Sequence, residues 1–390
     1  PMCGRPQYGE TDKLYQNNGD GTFTDVTKLL GSKITGSGFV ASFTDYDNDG
    51  DLDIYLVNDE FINPIRNVLW RNDGPGCDGW CFTEIAEETN ADIRMMGMGL
   101  ATADYDNDGD QDFYISNVSH MVLLENLGDG SFADAAELAG VDSVGNVGWG
   151  NLFFDYDNDG WQDIYLAVSD AMGAGSEPRS PLYRNQQDGT FADMSNTSGV
   201  SEPGRTLGVA AADYNRDGRV DLLIGDFMVG YQLFENRSSD NNNWLAIELI
   251  GSADVNRDAV GSRVTVTTAD GLTQMREIIS GSGLGAGNEL MLNFGLGQNE
   301  FIEKITVRWP NGQTQTFVGV AINQILPIEY SANLESVPDI TIDETVEIEE
   351  LIYSEPLLDQ SRSGNFEMVL AVFGVLAMMF LAFGGLYQPE

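Results

Sequence analysis

The sequence of 390 residues contains one histidine, three cysteines, and 19 lysines and arginines against 62 aspartates and glutamates, for a net charge of −43. Each scarcity removes a class of function. A chain this acidic offers no basic footprint for phosphate, which excludes nucleic-acid binding. The lone histidine, His120 in Asn-Val-Ser-His-Met, leaves histidine-rich zinc centres, haem ligation and histidine-based triads without their material. It reads as a strand-end residue with no catalytic role. Cys77 and Cys81 bracket Asp-Gly-Trp and are spaced for a small disulfide loop in an oxidising compartment. Metal ligation suits them less, because no second pair exists, and Cys3 has no evident partner. No secretory leader is visible and residue 1 is proline, so the sequence reads as a processed chain or part of a longer precursor.

What the chain has instead is aspartate in register. Asp45-Tyr-Asp-Asn-Asp-Gly-Asp-Leu-Asp53 recurs as Asp104-Tyr-Asp-Asn-Asp-Gly-Asp-Gln-Asp112, as Asp155-Tyr-Asp-Asn-Asp-Gly-Trp-Gln-Asp163 and as Asp213-Tyr-Asn-Arg-Asp-Gly-Arg-Val-Asp221. Carboxylates at loop positions 1, 3, 5 and 9 bring hard oxygens around one centre, position 7 can add its main-chain carbonyl, and glycine at position 6 permits the sharp turn. This is the donor set Ca²⁺ prefers. The glutamate that would complete a helix-loop-helix calcium site at position 12 is replaced by an apolar residue (Leu56, Ile115, Leu166, Ile224), so each loop leads into a strand. One such loop would pass for a solvated acidic turn; four in register do not.

A second signal interleaves with the first: Leu14-Tyr-Gln-Asn17, Leu69-Trp-Arg-Asn72, Leu123-Leu-Glu-Asn126, Leu182-Tyr-Arg-Asn185 and Leu233-Phe-Glu-Asn236, several followed by a glycine turn and a phenylalanine strand. The period of roughly 50–60 residues, with four short apolar runs per unit, is that of propeller blades. In the first full unit the runs are Gly38–Thr44, Ile54–Asn58, Val68–Arg71 and Phe82–Ile85. The predicted fold is therefore all-β. A β-propeller occupies 1–240, and its two N-terminal strands either complete the last unit or belong to a blade that begins upstream. A small β-domain follows at 241–330, with a hairpin around Pro310-Asn-Gly312. An acidic tether is predicted over 331–365 and a membrane-spanning helix over 366–388, where Met368 to Tyr387 is a run of 20 uncharged, mostly apolar residues. Ala371, Gly374, Met378, Ala382 and Gly385 fall on one side of that helix, a stripe open to another helix or to chance.

The acidic loops with their Leu-x-x-Asn partners resemble FG-GAP/VCBS repeats, the blades of integrin α-type propellers. Asn256-Arg-Asp-Ala-Val-Gly-Ser-Arg-Val, Phe294-Gly-Leu-Gly and Val307-Arg-Trp-Pro-Asn-Gly resemble the ASPIC/UnbV domain that follows such repeats in cartilage-acidic-protein-like proteins. The resemblance implies Ca²⁺ ligands at Asp45, Asp47, Asp49 and Asp53; at Asp104, Asp106, Asp108 and Asp112; at Asp155, Asp157, Asp159 and Asp163; and at Asp213, Asn215, Asp217 and Asp221. Asp51, Asp110, Trp161 and Arg219 would give main-chain oxygens. The fourth loop, with one carboxylate fewer and Arg216 and Arg219 added, is expected to bind weakest.

Three functions compete. The first is a non-enzymatic, membrane-anchored structural subunit that braces a larger complex of integral membrane subunits, respiratory or photosynthetic, with the bulk of the chain periplasmic or extracellular, where calcium is plentiful. The second is an adhesion or ligand-binding module at the cell surface. The third, a polysaccharide-active enzyme, is disfavoured. The paired carboxylates sit where they must stay ionised, and no base or nucleophile constellation accompanies them.

Overall fold

Each acidic loop is followed by a run of β-branched and aromatic residues, and each run becomes the second strand of an antiparallel sheet. The structure is a computed structural model that describes residues 11–332, apart from 32–34, 61–63, 78, 171–177, 202, 239 and 282–286. The first sheet comprises Gly38–Thr44, Asp53–Asn58, Val68–Gly76 and Gly79–Glu84. The second comprises Leu100–Ala103, Asp112–Ile115, Val122–Asn126 and Phe132–Asp134. The third comprises Val147–Phe154, Asp163–Ser169, Leu182–Asn185 and Phe191–Asp193. The fourth has three strands, Thr206–Ala212, Asp221–Asp226 and Gly230–Phe234. Strands follow chain order across every sheet. The acidic loop always joins the first strand to the second, as the pairs Thr44↔Asp53, Ala103↔Asp112, Phe154↔Asp163 and Ala212↔Asp221 show.

The second strands of the first three sheets are buried along their whole length, because both faces of each sheet are covered. A hydrophobic cluster fills each gap between successive sheets. Tyr55, Val57, Leu69, Phe113, Ile115 and Phe132 lie between the first and second. Tyr114, Leu123, Ile164, Leu166 and Phe191 lie between the second and third. Leu152, Tyr165, Leu182, Val209, Leu222 and Ile224 lie between the third and fourth. The first strands of consecutive sheets are neighbours.

The N-terminal strands Tyr15–Asn17 and Phe23–Asp25 carry the sequence of a third and fourth repeat strand, but they form a two-stranded sheet of their own. They do not pair with the fourth sheet, so among the described residues they do not close a ring. Cys77 and Cys81 are joined by a disulfide at a turn, with their Cα atoms 5.4 Å apart. His120 is exposed, and its Nδ1 lies 2.7 Å from Asp142.

The C-terminal domain packs two sheets face to face. In one, Asn243–Ile250 lies between Leu292–Gly297 and the parallel strand Gln324–Glu329. The other has the order Thr273–Glu277, Arg263–Thr268, Ile302–Arg308, Thr314–Phe317. Leu245, Ile247, Val264, Val266, Phe294, Ile305, Val307 and Trp309 form its core. The predicted hairpin is present: Arg308 pairs with Thr314, and the Gly312 N–H donates to the Trp309 carbonyl at 2.8 Å. This domain and the four sheets belong to one compact unit.

Among the described residues the helices are short, Thr27–Leu30 and Ala136–Ala139, and no helix is long and apolar enough to cross a membrane. The predicted spanning run Met368 to Tyr387 and nearly all of the acidic tether lie outside the described residues.

Candidate metal centres

The conformation of the acidic loops explains residues that metal ligation alone does not. Position 4 is left-handed in every loop, with φ of 62° at Asn48, 58° at Asn107, 56° at Asn158 and 58° at Arg216. Asparagine tolerates this region better than most side chains. The asparagine also does something the sequence does not show: it ties its loop to the next one. Asn48 Nδ2 donates to the Gly109 carbonyl at 3.3 Å, Asn107 Nδ2 to Gly160 at 3.2 Å, and Asn158 Nδ2 to Gly218 at 2.9 Å. The fourth loop ends this series, and there the residue is Arg216.

Position 9 and the Leu-x-x-Asn motif form a second set of links. The position-9 carboxylate takes the N–H of the motif asparagine on one oxygen, from Asn72, Asn126, Asn185 and Asn236 at 2.7, 2.8, 2.8 and 2.7 Å. Its other oxygen takes the N–H of the position-2 tyrosine, at 3.1, 3.1, 3.0 and 3.2 Å from Tyr46, Tyr105, Tyr156 and Tyr214. Asn126, Asn185 and Asn236 then reach back one repeat and donate Nδ2 to the carbonyls of Tyr46, Tyr105 and Tyr156 at 2.8, 2.8 and 2.7 Å. The tyrosine rings follow the same path: Tyr46 contacts Phe132 and Tyr105 contacts Phe191, with ring centroids 5.8 Å apart in both cases.

The carboxylates of the first three loops also converge. Asp45, Asp47 and Asp53 each place one oxygen so that all three lie within 4.8 Å of one another; so do Asp104, Asp106 and Asp108, and Asp155, Asp157 and Asp163. Asp45 Oδ1, Asp104 Oδ1, Asp106 Oδ1 and Asp157 Oδ1 are buried and have no hydrogen-bond donor. A buried anionic oxygen without a partner is costly, and at Asp104, Asp106 and Asp157 the acid responds by holding its proton. Burial pushes Asp53 up to about 8, Asp104 to about 7, and Asp106 and Asp157 to about 6, with neighbouring carboxylates adding to the shift. Asp112, Asp155 and Asp163 are raised for the same reasons. A divalent cation at the convergence point would remove both penalties, so these residues fit one.

The four loops are not equivalent. In the third, Arg184 of the Leu-x-x-Asn motif stands 2.7 Å from Asp157 and 3.4 Å from Asp159. In the second, the same repeat position is Glu125, whose charge adds to that of Asp106. In the fourth, Arg219 donates to Asp217 at 2.6 Å and Asn215 Nδ2 at 3.2 Å, so a position-5 oxygen is already paired. No three-carboxylate group forms there among the described residues. At position 7, Asp51, Asp110, Trp161 and Arg219 donate their N–H to the position-5 carboxylate at 2.8, 2.9, 3.0 and 3.0 Å.

The C-terminal domain covers these loops with arginines that sequence reasoning passed over. Arg308 pairs with Asp45 Oδ2. Arg263 Nη2 donates to the Asp45 carbonyl at 2.6 Å, and Arg263 is held by Glu277 at 2.8 Å. Thr44 hydroxyl donates to the same Glu277 at 2.8 Å. Arg276 is buried over the Phe294 ring, 5.3 Å from its centroid, and the charges nearest it are Asp155 and Asp104. Burial lowers this guanidinium to about 10, against the pull of those two carboxylates. Trp244 sits against Gly218 of the fourth loop. The sequence held one signal for this, arginines inside strands of a chain very poor in base.

Repeated sheets stitched through acidic loops, with a β-domain laid over those loops, define a class of all-β repeat protein. Family models place the chain within it: an FG-GAP-like repeat matches 4–56, 45–115, 104–166 and 155–224, and an ASPIC and UnbV domain matches 252–335. The chain belongs to the family of FG-GAP-like repeat proteins with an ASPIC and UnbV domain. Cartilage acidic protein 1 of Xenopus tropicalis is 28% identical over 277 residues, 68% of this chain and 41% of the relative. The Homo sapiens protein is 26% identical over 286 residues, 70% of this chain and 42% of the relative. The chain thus spans about two-fifths of the length of these relatives. Among solved structures, an Agrocybe aegerita lectin that recognises non-reducing terminal N-acetylglucosamine aligns with 59% of each chain at 18% identity and a TM-score of 0.34. The V. cholerae biofilm matrix protein Bap1 aligns with 73% of this chain and 60% of its own at 12% identity and a TM-score of 0.26. Likeness at that level carries no argument.

Proposed function

We propose that the chain is a calcium-binding, propeller-type segment of an extracellular adhesion or ligand-binding module, without catalytic activity. The observation that carries the cation reading is the convergence of carboxylates in loops 1 to 3, each loop with at least one buried oxygen that has no donor. Oxygen donors alone, in an irregular cage, suit Ca²⁺ better than Mg²⁺, which demands near-octahedral geometry and retains its waters. The ligands are the carboxylates at positions 1, 3, 5 and 9 with the position-7 carbonyl, and loop 4 is the weakest site. Stacking of successive sheets with their first strands side by side supports reading them as blades. The adhesive role rests on the family, whose similar members are named cartilage acidic proteins.

In a binding assay on immobilised extracellular matrix, the chain should be retained in millimolar calcium and released by chelator. Retention should survive removal of residues 365–390. Retention indifferent to calcium, or calorimetry showing no calcium uptake, would overturn the reading. The scaffold-subunit reading keeps one distinct support, the apolar run Met368 to Tyr387. Native purification in mild detergent tests it, and a lone monomer would count against it.

A further inference from the structure

Loop 1 differs from loops 2 and 3 in where its neutralising charge comes from. Asp45, fully buried, has one oxygen in the ion pair with Arg308 and the other without a donor, and its carboxylate groups with those of Asp47 and Asp53. Arg308 lies 263 residues further along, in the other domain. Arg263 reinforces it: its Nη2 lies 3.6 Å from the same Asp45 oxygen, while its Nη1 donates to the Asn48 side chain. Arg308 also crowds the position-6 glycine, Gly50, so its guanidinium stands against the turn of the loop. Glu277, its side chain almost wholly buried, balances Arg263. Among the described residues, no ion pair links the C-terminal domain to loop 2 or to loop 3. Arg276 acts on Asp104 and Asp155 only through its field.

We propose that Arg308 and Arg263 set the cation affinity of loop 1 from the C-terminal domain, by sharing Asp45 with the ion. The inference rests on the calcium reading above. A guanidinium and a divalent cation on the two oxygens of one carboxylate repel each other. Each therefore lowers the other's hold on Asp45, and the coupling is reciprocal. Loop 1 is attenuated from the C-terminal domain, as loop 3 is by Arg184 of its own repeat. Filling it weakens one of the contacts that fasten the C-terminal domain to the first sheet. Calcium at the concentration that fills loop 1 thus acts on the junction between the domains, whereas loop 2, with no arginine paired to its carboxylates among the described residues, fills earlier.

The test is calorimetric titration of the full chain with calcium chloride after chelator treatment, on two variants expected to move in opposite directions. Arg308→Gln keeps a hydrogen-bonding side chain and removes the charge, so one site should tighten by about tenfold or more. That gain should vanish when Asp45→Asn is added. Glu277→Gln leaves Arg263 less balanced, so the same site should weaken several-fold. Either variant suffices if the other does not fold, as judged by circular dichroism. A folded Arg308→Gln with unchanged or weaker binding, or a folded Glu277→Gln with unchanged or tighter binding, would overturn the inference while leaving the calcium reading intact. No calcium heat on the unmodified chain would sink that reading, and this inference with it.

Discussion

Asn185→Ala is the most informative single substitution. The side chain is 2% exposed and ties the third sheet to the second. Its Nδ2 donates to the Tyr105 carbonyl at 2.8 Å and to the Gln162 carbonyl at 3.0 Å, and its Oδ1 accepts from the Gln187 N–H at 2.8 Å. Alanine removes all three bonds. The Gln187 N–H lies at an exposed turn and water can replace its partner, so that loss costs about 0.5 kcal/mol. The two carbonyls belong to the buried residues Tyr105 and Gln162 and are left without this donor, at about 1–3 kcal/mol each. The sum is about 2.5–6.5 kcal/mol, a large part of the stability of an ordinary domain. Urea unfolding should show the loss as a lower midpoint of the first transition at an unchanged m-value. Asn236 makes the same two donations, to Tyr156 and Val220 at 2.7 and 3.1 Å, but it is only partly buried on the last sheet. Asn236→Ala should therefore cost less than Asn185→Ala. A loss below about 1 kcal/mol at Asn185, or a larger loss at Asn236, would refute the view that these asparagines stitch the repeats together.

Further outcomes follow from the same geometry. In chelator, stability should fall as pH rises from about 4 to 8: Asp106 and Asp157 stand near 6, Asp104 near 7 and Asp53 near 8, against an ordinary 3.8, so the folded chain holds protons there that the unfolded chain has lost. Melting curves in chelator and in calcium check this. Calcium should flatten or reverse the slope, and a slope rising with pH in chelator would contradict it. For the same reason, calcium uptake at pH 6 should release protons, seen as a dependence of the calorimetric heat on buffer ionisation enthalpy. Asn107→Ala removes the tie to Gly160 and puts alanine at a φ of 58°. It should destabilise the chain by about 1–2 kcal/mol without removing a site, whereas Asp106→Asn should remove one, both read by unfolding and titration.

The four loops and the strand that follows each were legible because they are local. Aspartate spacing, the glycine turn and the apolar run sit within a dozen residues of one another. The links between loops were not, because each joins residues a full repeat apart. The position-4 asparagine and position-6 glycine look alike in each of the first three copies, and nothing in the spacing says that Asn48 bonds Gly109. The position-9 aspartates were legible as acids, but their bond to the motif asparagine emerges only when the third strand returns beside the loop. The docking arginines were hidden most deeply, since Arg308 and Asp45 meet only after the C-terminal domain folds over the first sheet. The difference between loop 4 and the others was anticipated from its composition, and Arg219 on Asp217 gives that difference a geometry.

Anomalous diffraction from crystals grown in millimolar calcium tests the central claim most directly. The account predicts a peak among Asp45, Asp47 and Asp53, another among Asp104, Asp106 and Asp108, and a third among Asp155, Asp157 and Asp163, with the weakest occupancy at Asp213 to Asp221. Strands in place around three loops that show no anomalous peak would contradict it.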